Sequence, residues 1–117
     1  LGQSIFIGFI AAIISNLAIG VFRKLNIDDT LDVFPTHGIG GIVGMVLTSV
    51  FAADVGLVYG EYNTFLMHLV AILVIGVYTL GMSYLLFKIV NLITPLRVRE
   101  DQEERGLDAS QHGEYFN

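Results

Sequence analysis

The chain has 117 residues, 54% of them hydrophobic and 15% charged, with a formal net charge of −5 and no cysteine. A soluble domain carries more charge, the acidic balance leaves no basic patch suited to nucleic acid, and the lack of cysteine excludes disulfide frameworks and thiolate metal sites. The charges stand in short patches between long uncharged runs, so we predict an integral membrane protein. Because Leu1 opens an apolar run at once, we expect a piece of a longer chain.

The first predicted element is a membrane-spanning helix over residues 1–22, which contain no Asp, Glu, Lys or Arg. At a rise of about 1.5 Å per residue, such a helix crosses the ~30 Å hydrocarbon layer. Small residues recur along one side of it and predict close approach by another helix. These residues are Ser4, Gly8, Ala11, Ala12 and Ser15.

Two further spans are predicted, over about 33–53 and about 62–87. We expect the third helix to end between 87 and 94, because Pro95 disfavours helical conformation at the residue before it. Lys and Arg follow the first and third spans, whereas the loop at 54–61 has neither. Since cytoplasmic loops are enriched in these residues, we expect the N-terminus outside and the C-terminus in the cytoplasm.

Two other features accompany the third span. His68 lies about two turns from its outer end, and we interpret it as an interfacial histidine bonded to a neighbour or to water. Beyond the span, residues 96–117 are rich in charge and poor in apolar side chains. Composition therefore predicts a solvated cytoplasmic tail.

The candidate functional region runs from Asp28 to Gly44, where three carboxylates precede a glycine-rich apolar segment that carries His37. An ionisable group inside a span is costly, and its default interpretation is functional. On a wheel of 100° per residue, glycines share one face with His37, and branched aliphatic side chains lie opposite. A pore-lining histidine and a buried structural histidine both remain open.

The acidic residues of this region are Asp28, Asp29 and Asp32. Carboxylates before a helix interact favourably with its unpaired N–H groups and the positive end of its dipole. Capping accounts for at least one of them. Three acids exceed what capping needs, so a second role is expected, such as pairing with Arg23, Lys24 or basic residues of the tail.

These residues resemble the ammonium transporters of the Amt/MEP/Rh class. The resemblance rests on the segment from Asp28 to Gly44 and on three tail motifs, which follow the Amt branch rather than the Rh branch. The tail motifs are Leu96-Arg97-Val98, Gly106-Leu107-Asp108 and His112-Gly113-Glu114. The resemblance implies an all-α integral membrane fold, with residues 1–95 as the last three of eleven transmembrane helices and residues 96–117 as a cytoplasmic regulatory tail.

The resemblance also implies a function: ammonium or ammonia transport across a lipid bilayer, by a homotrimer with one pore per subunit. His37 corresponds to the second of two paired pore histidines, Val33 to the narrow cytoplasmic end of the pore, and Phe34 follows Val33. The family's first pore histidine lies on an earlier helix, so we expect no transport by this piece alone. Nothing in the sequence indicates an enzyme, a cofactor or a metal site.

A coupling role is implied for the acidic residues and the tail, which in the family packs on the cytoplasmic face, couples the subunits and contributes to docking of PII signalling proteins. The residues concerned are Asp28, Asp29, Asp32, Arg97, Arg99, Gly106, Leu107, Asp108, His112, Gly113 and Glu114. One alternative is a membrane fragment that only binds a PII-type protein or a neighbouring subunit through its tail. Another is a free-standing three-span protein with a structural histidine.

One expectation concerns depth in the membrane. Helical rise places His37 about 9 Å or more to the cytoplasmic side of the middle of the second span, whereas the family places its histidine deeper. We therefore expect Asp32 to lie in a protein-lined vestibule, shielded from lipid.

Overall fold

The computed structural model describes residues 1–114, and residues 115–117, the end of the predicted tail, lie outside that range. The described chain consists of helices and loops, which confirms the all-α prediction. Its α-helices are α1 (Gly2–Lys24), α2 (Gly40–Phe51), α3 (Tyr62–Ile93) and α4 (Glu100–Arg105). A π-helical segment, Phe34–Ile39, leads directly into α2, and a second π-helical segment, Asp108–His112, follows α4.

Three helical stretches are long and apolar enough to cross a membrane, as predicted: Gly2–Lys24, Phe34–Phe51 and Tyr62–Ile93. The first extends past residue 22 because Arg23 and Lys24 form its last turn, where cations interact favourably with the helix dipole. The second stops at Phe51, because Ala52 turns to extended backbone with ψ 130°. The third ends at Ile93, inside the expected interval.

Helices α1 and α2 pack against each other in antiparallel directions. Near the end of α1, the ring of Phe22 stacks on Phe34, and near its start Phe6 meets Phe51 edge-on, each pair with ring centroids 5.6 Å apart. Between these pairs the two helices cross at Ser15 and Gly40, where a Cβ built on the glycine would lie 2.8 Å from the serine Oγ. A small residue on each side therefore sets the closeness of the crossing.

What the described chain buries is polar or small rather than apolar. Within residues 1–114 the buried residues are Ser15, Pro35, Ser49 and Gly56, and apart from Pro35 no apolar side chain is buried. The Ser49 hydroxyl donates to the carbonyl oxygen of Val46 at 2.7 Å, so its burial leaves no unpaired donor. Outward apolar surface of this extent suits contact with lipid or with other helices.

The chain divides into two compact units, and the second begins at Val77. In that unit the side-chain oxygen of Asn91 accepts the amide N–H of Leu96 at 3.1 Å and closes the end of α3. The tail then forms α4, with the Gln102 side chain accepting from the amide of Arg99 at 3.2 Å. Composition alone predicted a solvated tail. The amide N–H groups of Gln102 and Glu103 also donate to the carbonyl oxygen of Arg99, at 2.9 and 3.0 Å, and close the first turn of this short helix. A domain boundary at residue 95 stays a prediction.

Candidate functional site

Asp29 caps the start of the π-helical segment. Its two carboxylate oxygens accept the amide N–H groups of Val33 and Phe34 at 2.9 and 2.8 Å. Its carbonyl oxygen accepts the amide of Asp32 at 3.0 Å, which closes a turn before the helix. The first amides of a helix lack acceptors within the helix, so Asp29 is the acid that the capping prediction required.

Asp32 has a different role from Asp29. Its carboxylate pairs with the guanidinium of Arg23 at 2.9 Å, one of the partners that the sequence left open. Its backbone is left-handed, with φ 51°, a conformation that Asp adopts more readily than most residues. Its carbonyl oxygen accepts both the amide and the hydroxyl of Thr36, at 3.1 and 2.7 Å. Asp32 therefore links α1 to the turn that precedes His37.

The π-helical segment is shaped by its first residues. Pro35 is buried in the first turn, where a missing N–H costs little. The ring of Phe34 lies over Gly38, so that a Cβ built on this glycine would be 3.0 Å from the ring. π-Helical turns within helices are frequent at functional sites, and this one contains His37.

His37 is exposed, and no hydrogen bond joins its imidazole to another residue among positions 1–114. Gly41 and Thr48, predicted to share its face, are exposed as well. On the face predicted to lie opposite, Val43 and Val46 are half-buried. Gly44 on the first face is half-buried and Ile42 on the second is exposed, so burial does not separate the two faces of α2. The pore role of His37 stays a prediction.

The other two predicted pore residues lie beside the cap. Val33 and Phe34 are about half exposed, at 49% and 51%, and the Phe34 ring is held between Phe22 and Gly38. Phe22 was not predicted as a site residue, because the spacing of two phenylalanines does not indicate which rings meet. Asp28, the remaining acid of the cluster, is exposed.

In the tail, the predicted arginines pair with acids of their own segment. Arg97 lies 3.6 Å from the carboxylate of Glu103, and Arg99 lies 3.0 Å from that of Asp101. These two acids were not predicted as site residues, although opposite charges so near in sequence often pair. All four side chains are largely exposed, so each pair adds little stability.

Two predicted tail glycines have left-handed backbone. Gly106 has φ 87° and ends α4, and Gly113 has φ 67° and ends the second π-helical segment. Between them, Leu107, Asp108 and His112 are exposed, as is Glu114, whose amide donates to the carbonyl oxygen of Asp108 at 3.1 Å. Glycine adopts such angles without steric cost, which explains why the tail motifs need it at both positions.

The model of the Ammonium Transporter Family matches residues 1–116. An ammonium transporter of Bacillus subtilis is 41% identical over 106 residues, covering 81% of this chain and 26% of the relative. An ammonium transporter of Aquifex aeolicus is 38% identical over 117 residues, covering 95% of this chain and 27% of the relative. An ammonium transporter of Archaeoglobus fulgidus is 34% identical over 116 residues, covering 95% of this chain and 30% of the relative. The chain spans less than a third of each of these relatives, and no solved structure matches it.

Proposed function

Because the chain belongs to the Ammonium Transporter Family, we propose that it forms the last three transmembrane helices and the cytoplasmic tail of an ammonium or ammonia transporter. The observation that carries the proposal is the family match, which extends over the acidic cluster, His37 and the tail motifs. The relatives are transporters rather than enzymes.

His37 takes part in moving the substrate in this proposal. Ammonium loses its hydration, and with it the proton, before it crosses an apolar bore, because a bare charge in hydrocarbon is costly. Imidazole can donate through one ring nitrogen and accept through the other. The exposed imidazole of His37 supports this role, and its partner is a second histidine on an earlier helix of the complete protein. Val33 and Phe34 line the narrow cytoplasmic end of the pore.

The proposal includes an orientation and an assembly. The N-terminus of the chain lies outside and the tail in the cytoplasm, since Arg23 and Lys24 end α1 and no Lys or Arg lies between α2 and α3. The complete protein is a homotrimer with one pore per subunit.

The test is ammonium uptake by the complete protein with His37→Ala. We expect uptake, or selectivity for ammonium over potassium, to fall at least about tenfold, because a positioned proton carrier is lost. His68→Ala is the matched control: Nδ1 of His68 donates to the carbonyl oxygen of Thr64 at 2.8 Å within its own helix, so uptake stays near wild type. Wild-type uptake and selectivity with His37→Ala would refute the proposed role.

A second function is proposed for the tail, as a contact for a neighbouring subunit and for a PII-type regulator. The resemblance of the tail motifs to those of the Amt branch supports it, and the exposed charged side chains of the tail are accessible to a partner. Deleting residues 106–117 from the complete protein is expected to abolish regulator binding and to uncouple the subunits, measured by pull-down and by uptake in mixed trimers. Unchanged binding and coupling would exclude this function.

A further inference from the structure

We propose that Arg23, in the last turn of α1, is a positioning residue for His37 and acts through Asp32. This inference rests on the proposed role of His37 in transport. It gives Arg23 a task beyond the two that the sequence predicted, which were to mark the cytoplasmic end of a span and to pair with an acid.

The first step is the path from Arg23 to the histidine. The Arg23 guanidinium holds the Asp32 carboxylate at 2.9 Å, and that carboxylate is only 21% exposed although the arginine is 72% exposed. The carbonyl oxygen of Asp32 in turn holds the amide and the hydroxyl of Thr36, the residue before His37. The chain of contacts from α1 therefore ends one residue from the imidazole.

The second step is that this path fixes rotation of the π-helical segment. Phe22 contacts Phe34, and the adjacent Arg23 contacts Asp32. Asp32 and Phe34 flank Val33. Two contacts on either side of one residue resist rotation of the segment about its axis, which a single contact would permit. Asp32 also depends on its partner, because its left-handed backbone is a minor conformation for a residue with a side chain.

The third step is that His37 needs such support. Within residues 1–114 no hydrogen bond holds its imidazole, so the backbone before it sets where the ring lies. Lys24 offers a matched control, since it is the next residue, carries the same charge and forms no ion pair with the described residues.

The experiment compares Arg23→Gln, Arg23→Lys and Lys24→Gln in the complete protein, each with His37 present and with His37→Ala. With His37 present, we expect Arg23→Gln to lower selectivity for ammonium over potassium by about tenfold to a hundredfold, as expected when a reacting group is misplaced. Arg23→Lys restores part of the selectivity, and Lys24→Gln leaves it unchanged. With His37→Ala, Arg23→Gln adds no further loss. Equal losses in both backgrounds, or equal effects of Arg23→Gln and Lys24→Gln, would overturn the inference.

A second measurement reports on the position of residue 37 and does not depend on transport. A water-soluble thiol reagent labels the cysteine of His37→Cys, and its rate is compared between the Arg23→Gln and Lys24→Gln forms of this variant. The same protein with His37 unchanged gives the background labelling. We expect a several-fold change with Arg23→Gln alone, and identical rates would refute the positioning role. If His37→Ala transports like wild type, the proposed function fails, and the labelling rates still decide whether Arg23 positions residue 37.

Discussion

Two carboxylates three residues apart stabilise the start of the π-helical segment in different ways. Asp29 accepts two amide hydrogens, a capping arrangement that contributes about 0.5–2 kcal/mol. Asp32 forms an ion pair with a largely exposed arginine, and such pairs contribute about 0–1 kcal/mol. Asp29 therefore contributes more to the free energy of unfolding, and Asp32 more to the orientation of the π-helical segment relative to α1.

The first prediction concerns Asp29. Asp29→Ala is expected to lower the free energy of unfolding by about 0.5–2 kcal/mol, because two amides lose their acceptor. Asp28→Ala removes the same charge from an exposed neighbour and should change stability by less than about 0.5 kcal/mol. Thermal unfolding of the detergent-solubilised chain, followed by circular dichroism, compares the two, and equal midpoints would contradict the prediction.

At this scale the sequence predicted that an acid would cap the helix, without indicating which one. The choice depends on the turn between Asp29 and Asp32, which includes a left-handed residue. A local pattern of acids contains no information about that backbone angle. The pairing of Asp32 with Arg23 was likewise one of several possibilities, because many cations can reach a flexible cluster.

At the scale of elements, the crossing of α1 and α2 depends on the absence of side-chain volume. Ser15 is 7% exposed, and Gly40 has no room for a Cβ beside the serine Oγ. Gly44, four residues further along α2, has no atom within 4 Å of such a Cβ. In a membrane, helices associate through close packing rather than through expulsion of water.

The second prediction tests this crossing. Gly40→Ala is expected to destabilise the α1–α2 pair by about 1–3 kcal/mol, as overpacking does, whereas Gly44→Ala is near neutral. Ser15→Ala combined with Gly40→Ala should recover most of the loss, because the clashing Oγ is gone. Unfolding in detergent of the wild type, Ser15→Ala, Gly40→Ala and the double variant gives the coupling energy between the two residues. Additive effects of the two substitutions would show that the helices do not cross at these residues.

Gly40 and Gly44 stand four residues apart, a spacing typical of helix packing, but only Gly40 lies close to a residue of another helix. The π-helical segment that contains His37 holds more residues per turn than the uniform wheel assumes, so the face of α2 that His37 shares is shifted from the predicted one. The three long helices themselves were predictable, because hydropathy and length alone determine them. The short α4 was missed because composition does not indicate the contact between the Gln102 side chain and the Arg99 amide at the start of this helix.

At the scale of the whole molecule, the third prediction concerns sidedness. The 117 residues contain no cysteine, so once any cysteine elsewhere in the complete protein is replaced, single cysteines at exposed Ile27 and Val58 report on the two loops. With an impermeant maleimide on intact cells, Val58→Cys in the complete protein should be labelled, and Ile27→Cys only after permeabilisation, because Lys and Arg favour the cytoplasm. The opposite labelling pattern would invert the proposed orientation.

The family and its membrane character could be inferred from the sequence because hydropathy and two separated motifs are linear properties. The partners of the tail could not, since Arg97 and Arg99 have several acids within reach and only coordinates show Glu103 and Asp101 beside them. The pore role of His37 stays a proposal, because a pore needs walls on all sides and these belong to the proposed complete protein.

The near absence of buried apolar side chains from residues 1–114 has a thermodynamic consequence. Soluble domains gain roughly 12–15 cal/mol/K of heat capacity per residue on unfolding, because apolar surface becomes hydrated. When α1 and α2 separate inside a bilayer, the surfaces at Ser15 and Gly40 meet lipid tails instead of water. The heat-capacity change of that separation should be small, and the contact should keep its strength on cooling, where hydrophobic stabilisation of a soluble core weakens.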